Sequence, residues 1–338
     1  MADSQESADA YEYQKAHLSD NKKAEIIAPT VIFLAIAYTA VFLRYKSRRI
    51  ARITLEADDW CIGLALITTT CFIIVYYLGM KYGMGRHEIL ITDPKAWVIT
   101  IVSTQVLYSI SICTIKLSIL FLYDRIFGIP KPMFRHILRA MGGFVIAYSV
   151  AGTLGTILQC VPLSDLWKPP SNGPPVCIDF GTLVITTGVL NIVTDITILS
   201  LPIPLVWGLQ VSKPRRWQLV TVFSLGGLVC VISIIRLFFL RVGMWDASYD
   251  DVRGTTLSAI ECCVGILSAC LPTYRPLWRK YGCARTKRTA IANETHPSDL
   301  KMLNCAIGGS LRGKGTSTPR TVADGRSEGS CATCQVPN

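Results

Sequence analysis

Residues 111–123 read SICTIKLSILFLY, with Lys116 set among apolar side chains on both sides. A lysine near the centre of a lipid-spanning helix costs roughly 2.5–3.5 kcal/mol unless something receives its charge. What receives it decides the fold, and the rest of the chain must supply the partner. Of the 338 residues, 51% are hydrophobic and only 17% are charged, with a mean hydropathy of +0.40. Soluble domains carry about 25% charged residues, so the deficit points to a membrane rather than to a large aqueous core.

Apolar stretches recur seven times, at about Ile26–Leu43, Trp60–Gly79, Trp97–Tyr123, Ala140–Val161, Gly181–Trp207, Trp217–Leu240 and Thr255–Leu271. Each can cross a hydrocarbon layer of about 30 Å as a helix rising about 1.5 Å per residue. The fold expected is all-α, a seven-transmembrane helix bundle over residues 26–280. A short polar N-terminus (1–25) precedes it, and a basic tail (281–338), poor in aromatics and expected to be disordered, follows. Residues 1–25 do not read as a cleavable signal peptide, so the first apolar run should act as an uncleaved insertion signal. The seventh stretch is the shortest and least apolar.

Charge sets the orientation. The net charge is +11, yet the basic residues cluster between apolar runs, which is a topology signal and not a nucleic-acid face. The first, third and fifth loops and the start of the tail hold about 18 Lys and Arg; the N-terminus and the even loops hold about nine, offset by about 13 acids. The positive-inside rule therefore places the N-terminus outside and the tail in the cytosol, in a plasma membrane or an endomembrane. Trp60, Trp97, Trp207 and Trp217 sit at span ends, as an aromatic belt requires.

Lys116 is one of four ionisable residues within spans; the others are Asp195, Arg236 and Glu261, and the formal charges cancel. Intramembrane charges face the bundle interior and pair there. Depth along the helices suggests Lys116–Asp195 and Arg236–Glu261 as the pairs, with Asn191 one turn before Asp195 on the same face. Such a set can pin helix packing, line a polar cavity, or do both. Asp58 and Asp59, in ADDW at 57–60, open the second span, where capping free amides is the simpler role and ligand contact the other. Pro202 and Pro204 should break the lower fifth span, and Pro272 should end or kink the seventh.

Of the 13 cysteines, most lie in apolar runs and behave as small hydrophobes. Cys160 and Cys177 instead bracket a Pro-rich outer loop and are expected to form a disulfide. His87 is the histidine placed at an outer loop beside the bundle mouth, a candidate for ligand or proton chemistry or simply a solvated side chain. CATC (Cys331, Cys334) lacks a second pair, so no metal site is expected. Cys283 is a candidate for palmitoylation, and Asn293 should face the cytosol unmodified.

ADDW (57–60), GMGRH (83–87), IKLSILFLYDRIF (115–127), QC (159–160), CID (177–179), NIVTDITILSLPIPLVWGLQ (191–210), IIRL (234–237), IECCVGILSACLP (260–272) and RP (275–276) occur in that order. The set resembles the fungal rhodopsin-domain integral membrane proteins, including the satratoxin-cluster type and receptor-like members, over about residues 26–280. The resemblance implies a seven-helix fold and a receptor-like character, with some relatives in secondary-metabolite gene clusters. Retinal is not expected, and no other cofactor: the seventh stretch has no lysine for a Schiff base, and Lys116 is in the third.

Three functions compete. The first is a receptor-like sensor of a small apolar ligand, its expected partners being membrane lipid, a small lipophilic ligand and a cytosolic signalling protein. Asp124–Arg125, at the inner end of the third span, superficially resembles the acid–arginine switch of G-protein-coupled receptors. The second is a membrane-embedded cyclase or isomerase, or an accessory protein of secondary metabolism, with Asp195 or Glu261 as general acid. The expected basic partner of each acid opposes that role. The third is a transporter, for which an inverted repeat between the halves would be expected and is not seen.

Overall fold

Helices begin where the sequence supplies caps and prolines. Pro94 opens one helix, where its missing N–H is no loss. Asp93 Oδ1 accepts there from the amides of Lys95 and Ala96, at 3.1 and 3.2 Å. Asp179 caps another, accepting from the amide of Thr182 at 2.9 Å and from its hydroxyl. These bonds hold the exposed Asp179 carboxyl below its ordinary value, the hydroxyl contributing most.

The computed structural model describes residues 23–82, 93–127, 132–161, 166, 176–204, 213–242, 247–274 and 276. Its long helices are α1 (Lys23–Ala51), α2 (Ala57–Gly79), α3 (Pro94–Phe127), α4 (Pro132–Ile157), α5 (Phe180–Ser200), α6 (Lys213–Val242) and α7 (Ala247–Cys270). A 3₁₀ turn, Leu271–Tyr274, follows α7. Six are long and apolar enough to cross a membrane, and α6 carries the apolar segment Phe223–Phe239 within its 30 residues. The fold is thus an all-α seven-helix bundle. The paired strands β1 (Cys160–Val161) and β2 (Val176–Cys177) set Cys160 opposite Cys177, and a disulfide joins the two.

The bundle is apolar on its outside as well. Ile32, Phe42, Ile67 and Phe238 are each about 60% exposed, the side lipid must cover. Inside, α3 and α7 form the axis: α7 packs on α1, α2, α3 and α6, and α3 on α2, α4 and α7. In α7, 78% of the most apolar stretch is buried, against 17% in α4. The polar side chains of the seventh span, among them Ser258, Glu261 and Ser268, face protein and not lipid. Cys262, Cys263 and Cys270 fill this axis as small hydrophobes.

Several boundaries differ from the sequence expectation. Helix α1 runs to Ala51 rather than ending near Leu43, because Arg44, Ser47 and Arg48 are buried among its neighbours. Helix α4 starts at Pro132, not Ala140, and stops at Ile157, leaving Cys160 to a strand. Helix α5 ends at Ser200, just before Pro202, while Pro272 turns the end of α7 into 3₁₀ geometry.

Glycines let helices approach closely at particular points. A Cβ on Gly226 would lie 2.5 Å from Leu199 Cδ1, whereas one on Gly227 would meet nothing within 4 Å. Gly226→Leu should therefore lower the thermal stability of the purified protein by about 1–3 kcal/mol of overpacking. Gly227→Leu should leave the melting temperature unchanged or higher, and equal effects of the two would contradict this packing.

Candidate functional site

The partner of Lys116 lies on α5. Its ammonium is 3.0 Å from Asp195 Oδ1 and also donates to Asn191 O at 2.8 Å and to Thr194 Oγ1 at 2.6 Å. An ammonium has three donors, and these contacts occupy all three. Tyr148 adds its ring face, with the centroid 5.9 Å from Nζ. The Thr194 hydroxyl also donates to the backbone of its own helix, at Leu190 O and Asn191 O, so its lone pairs remain for the lysine.

Glu261 on α7 is fully buried and gathers four helices. Its carboxylate accepts from Tyr108 Oη at 3.0 Å (α3), from Asn191 Nδ2 at 2.8 Å (α5) and from the Ser233 hydroxyl (α6). The Arg236–Glu261 pair expected from the sequence is present as a long contact. Arg236 Nη1 stands 3.9 Å from Glu261 Oε2, at the edge of ion-pair range. Tyr108 comes between them: Arg236 Nη1 donates to Tyr108 Oη at 2.9 Å, and the guanidinium stacks 4.1 Å from the Tyr108 ring centroid. Arg236 Nε donates to Ser258 Oγ at 2.6 Å. A planar guanidinium suits this double use of face and edge.

Tyr108 went unread in the sequence. The available signal was its position, well inside α3 and far from any aromatic belt, where a phenol hydroxyl must find a partner.

Cavities flank the network. A cavity of about 410 Å³ opens at the disulfide end of the bundle, walled mainly by Phe72, Ile101, Val102, Phe180, Val184 and Ile185. Tyr108, Arg236 and Ser258 lie at its base, and Trp97, Gln105 and Gln159 also line it. On the other side of the network, a cavity of about 60 Å³ is lined by Lys116, Asp195 and Glu261 among apolar residues. Among the described residues, Asn191 Oδ1 and Asp195 Oδ2 are buried without a hydrogen-bond partner.

A second charged cluster closes the opposite end. Asp58 and Asp59 are buried, and Asp59 keeps part of the expected capping role by accepting from the Glu56 amide at 3.4 Å. Their main partners are arginines of α1. Arg44 reaches Asp58 at 2.6 Å and Asp59 at 2.7 Å; Arg48 joins Asp59 at 3.2 Å and also pairs with Asp58. Arg44, fully buried, also donates to Ala269 O at 2.8 Å, and the Asp58 carbonyl accepts from Ser118 at 2.7 Å. The adjacent Asp124 and Arg125 part company: Arg125 turns to Glu56 at 2.8 Å, and Asp124 to Arg135 of α4 at 2.9 Å.

The structure thus brings Lys116, Asn191, Asp195, Arg236 and Glu261 into one network and joins Cys160 to Cys177. His87, Cys283, Asn293, Cys331 and Cys334 lie outside the described residues. Among the described residues, no group of three or more His, Cys, Asp or Glu could hold a metal ion.

A seven-helix bundle with lipid-facing apolar sides and a charged interior is a multi-pass integral membrane protein. Residues 43–280 match the fungal rhodopsin domain, and the chain belongs to that family. It is 30% identical over 236 residues to a SAT4 family membrane protein of Emericella nidulans, covering 69% of this chain and 58% of the relative. It is 28% identical to the satratoxin biosynthesis SC1 cluster protein 4 of Stachybotrys chartarum over 180 residues, 52% of this chain and 63% of that one. Receptor GIN3 of Arthrobotrys oligospora is 26% identical over 260 residues, 75% of this chain and 62% of the receptor. The chain spans roughly three-fifths of each of these relatives.

Removing one member of a fully buried ion pair costs about 3–5 kcal/mol, whereas exposed pairs contribute about 0–1 kcal/mol. Arg44→Met should therefore unfold the detergent-solubilised protein at a markedly lower temperature. Arg135→Met, whose pair with Asp124 is about one-third exposed, should be nearly silent. Equal losses for the two would remove the assigned role of the buried cluster.

Proposed function

We propose that the protein is a receptor-like sensor that holds a small, largely apolar molecule in the 410 Å³ cavity and passes its presence to the opposite end of the bundle. The observation that carries this reading is Tyr108. It lines the cavity, and its hydroxyl joins Arg236 to Glu261 and meets Asn191, so a ligand that shifts its ring disturbs bonds from α3 to three other helices. The cavity volume falls within the range of small-molecule sites, about 300–1,000 Å³. The name of receptor GIN3 is consistent with such a role. In this reading the disulfide end faces the oxidising side, in keeping with the positive-inside count, and the arginine end meets a cytosolic signalling partner.

A second reading, a membrane-embedded cyclase or isomerase or an accessory of a biosynthetic cluster, is favoured by Asp195. Its Oδ2 has no partner beside a cavity that also contains Lys116 and Glu261, and one relative is named for satratoxin biosynthesis.

The test is thermal unfolding of the full-length protein in lipid nanodiscs with a panel of isoprenoid and polyketide-type lipids, followed by chromatography of the recovered lipid. A sensor gains stability with particular compounds, loses the gain when Val184→Phe fills the cavity, and returns the compound unchanged. Conversion that disappears in Asp195→Asn, with the fold retained, would transfer the assignment to the enzyme. Absence of any shift across the panel would contradict the sensor.

A further inference from the structure

The cavity at the disulfide end is apolar over most of its wall, yet its lining includes two buried polar atoms of opposite character that have no partner among the described residues. Trp97 Nε1 is a donor with nothing to donate to, and Gln159 Oε1 is an acceptor with nothing to accept. Leaving a buried polar group unmatched costs about 1–3 kcal/mol in proteins, so two in one cavity call for a complement. Both come from span ends, Trp97 from the first turn of α3 and Gln159 from the residue before the Cys160–Cys177 bridge. The backbone at Gln159 is itself fixed, since its carbonyl accepts from the Ile178 amide at 2.7 Å.

Among the described residues, the single charged side chain on the lining is Arg236. It is engaged with Ser258, Tyr108 and, at 3.9 Å, Glu261. A ligand carboxylate there would have to compete with an acid already in place. The Gln159 oxygen would likewise repel a carboxylate, whereas a hydroxyl can accept from Trp97 and donate to Gln159.

We propose that this cavity selects uncharged, hydroxyl-bearing lipophiles, with Trp97 and Gln159 reading the hydroxyl end and the apolar wall taking the hydrocarbon body. The proposal rests on the sensor reading of the same cavity and adds the chemical class of the ligand. The hydroxyl sits toward the mouth, and the hydrocarbon reaches down to the ring of Tyr108, where it bears on the charge network.

The experiment compares farnesol, its methyl ether and farnesoic acid on full-length protein in nanodiscs, with binding read by thermal shift against ligand concentration. Farnesol should bind at least about tenfold more tightly than the ether or the acid, the loss expected for one unmade buried hydrogen bond. Gln159→Leu should weaken farnesol about tenfold and leave the ether unchanged. Trp97→Phe should weaken both about tenfold, because the ether oxygen still accepts from the indole, and each variant should raise the melting temperature of the ligand-free protein by removing an unmatched polar atom. If alcohol and ether bind equally and Val184→Phe abolishes both, the hydroxyl selection is wrong while the cavity remains a ligand site. If none of the three binds, both the selection and the cavity reading fail for this class. Tighter binding of the acid overturns the selection outright.

Discussion

Hydrocarbon offers no hydrogen-bond partner, so each charge placed within it must be met by another part of the protein. That constraint governs this bundle. The Lys116 ammonium is saturated by Asp195, Asn191 and Thr194, all on α5, which fixes the register of α3 against α5. Glu261 imposes the same demand on α7, where its carboxylate takes donors from α3, α5 and α6. Asn191 serves both centres, its carbonyl facing the lysine and its amide the glutamate. Packing of the helices and neutralisation of the charges are therefore one problem with one solution. The two cavities lie where that solution leaves space.

The opposite end uses the same logic with different chemistry. Bidentate guanidinium groups from α1 face two adjacent carboxylates at the start of α2. Arg44 reaches on to α7 through Ala269 O, and Arg125 brings in α3 through Glu56. The two clusters share α3 and α7, the helices at the axis. A change at the Tyr108 hydroxyl therefore has rigid, packed helices along which to reach the arginine end, which is the physical basis for the proposed sensing.

Much of this was legible in the sequence for a simple reason: seven apolar runs and four intramembrane charges leave few arrangements. One lysine and one aspartate in helices of the same direction, at depths that differ by a distance a lysine stem can largely cover, were the natural pair. What the sequence concealed were the neutral mediators. Ser233, Thr194 and Ser258 all donate to carbonyls of their own helices, at 3.0, 2.8 and 2.8 Å, which is how such residues usually behave in spans. Their second use, as partners of Glu261, Lys116 and Arg236, leaves no sequence mark. Arg44 and Arg48 look like loop charges because the apolar run ends before them; only the continuation of α1 to Ala51 carries them into the protein. Asp58 and Asp59 fit the pattern of helix caps, and nothing local announces arginines from another helix.

The most direct measurement is a double-mutant cycle on the central pair, with Lys116→Met, Asp195→Leu and the double variant unfolded thermally in the same nanodiscs. Paired charges that neutralise each other should couple by about 0.5–3 kcal/mol, the double variant losing less than the sum of the singles. Losses that simply add would mean that the ammonium and the carboxylate do not sense each other, and the charge-neutralised interior described here would be contradicted.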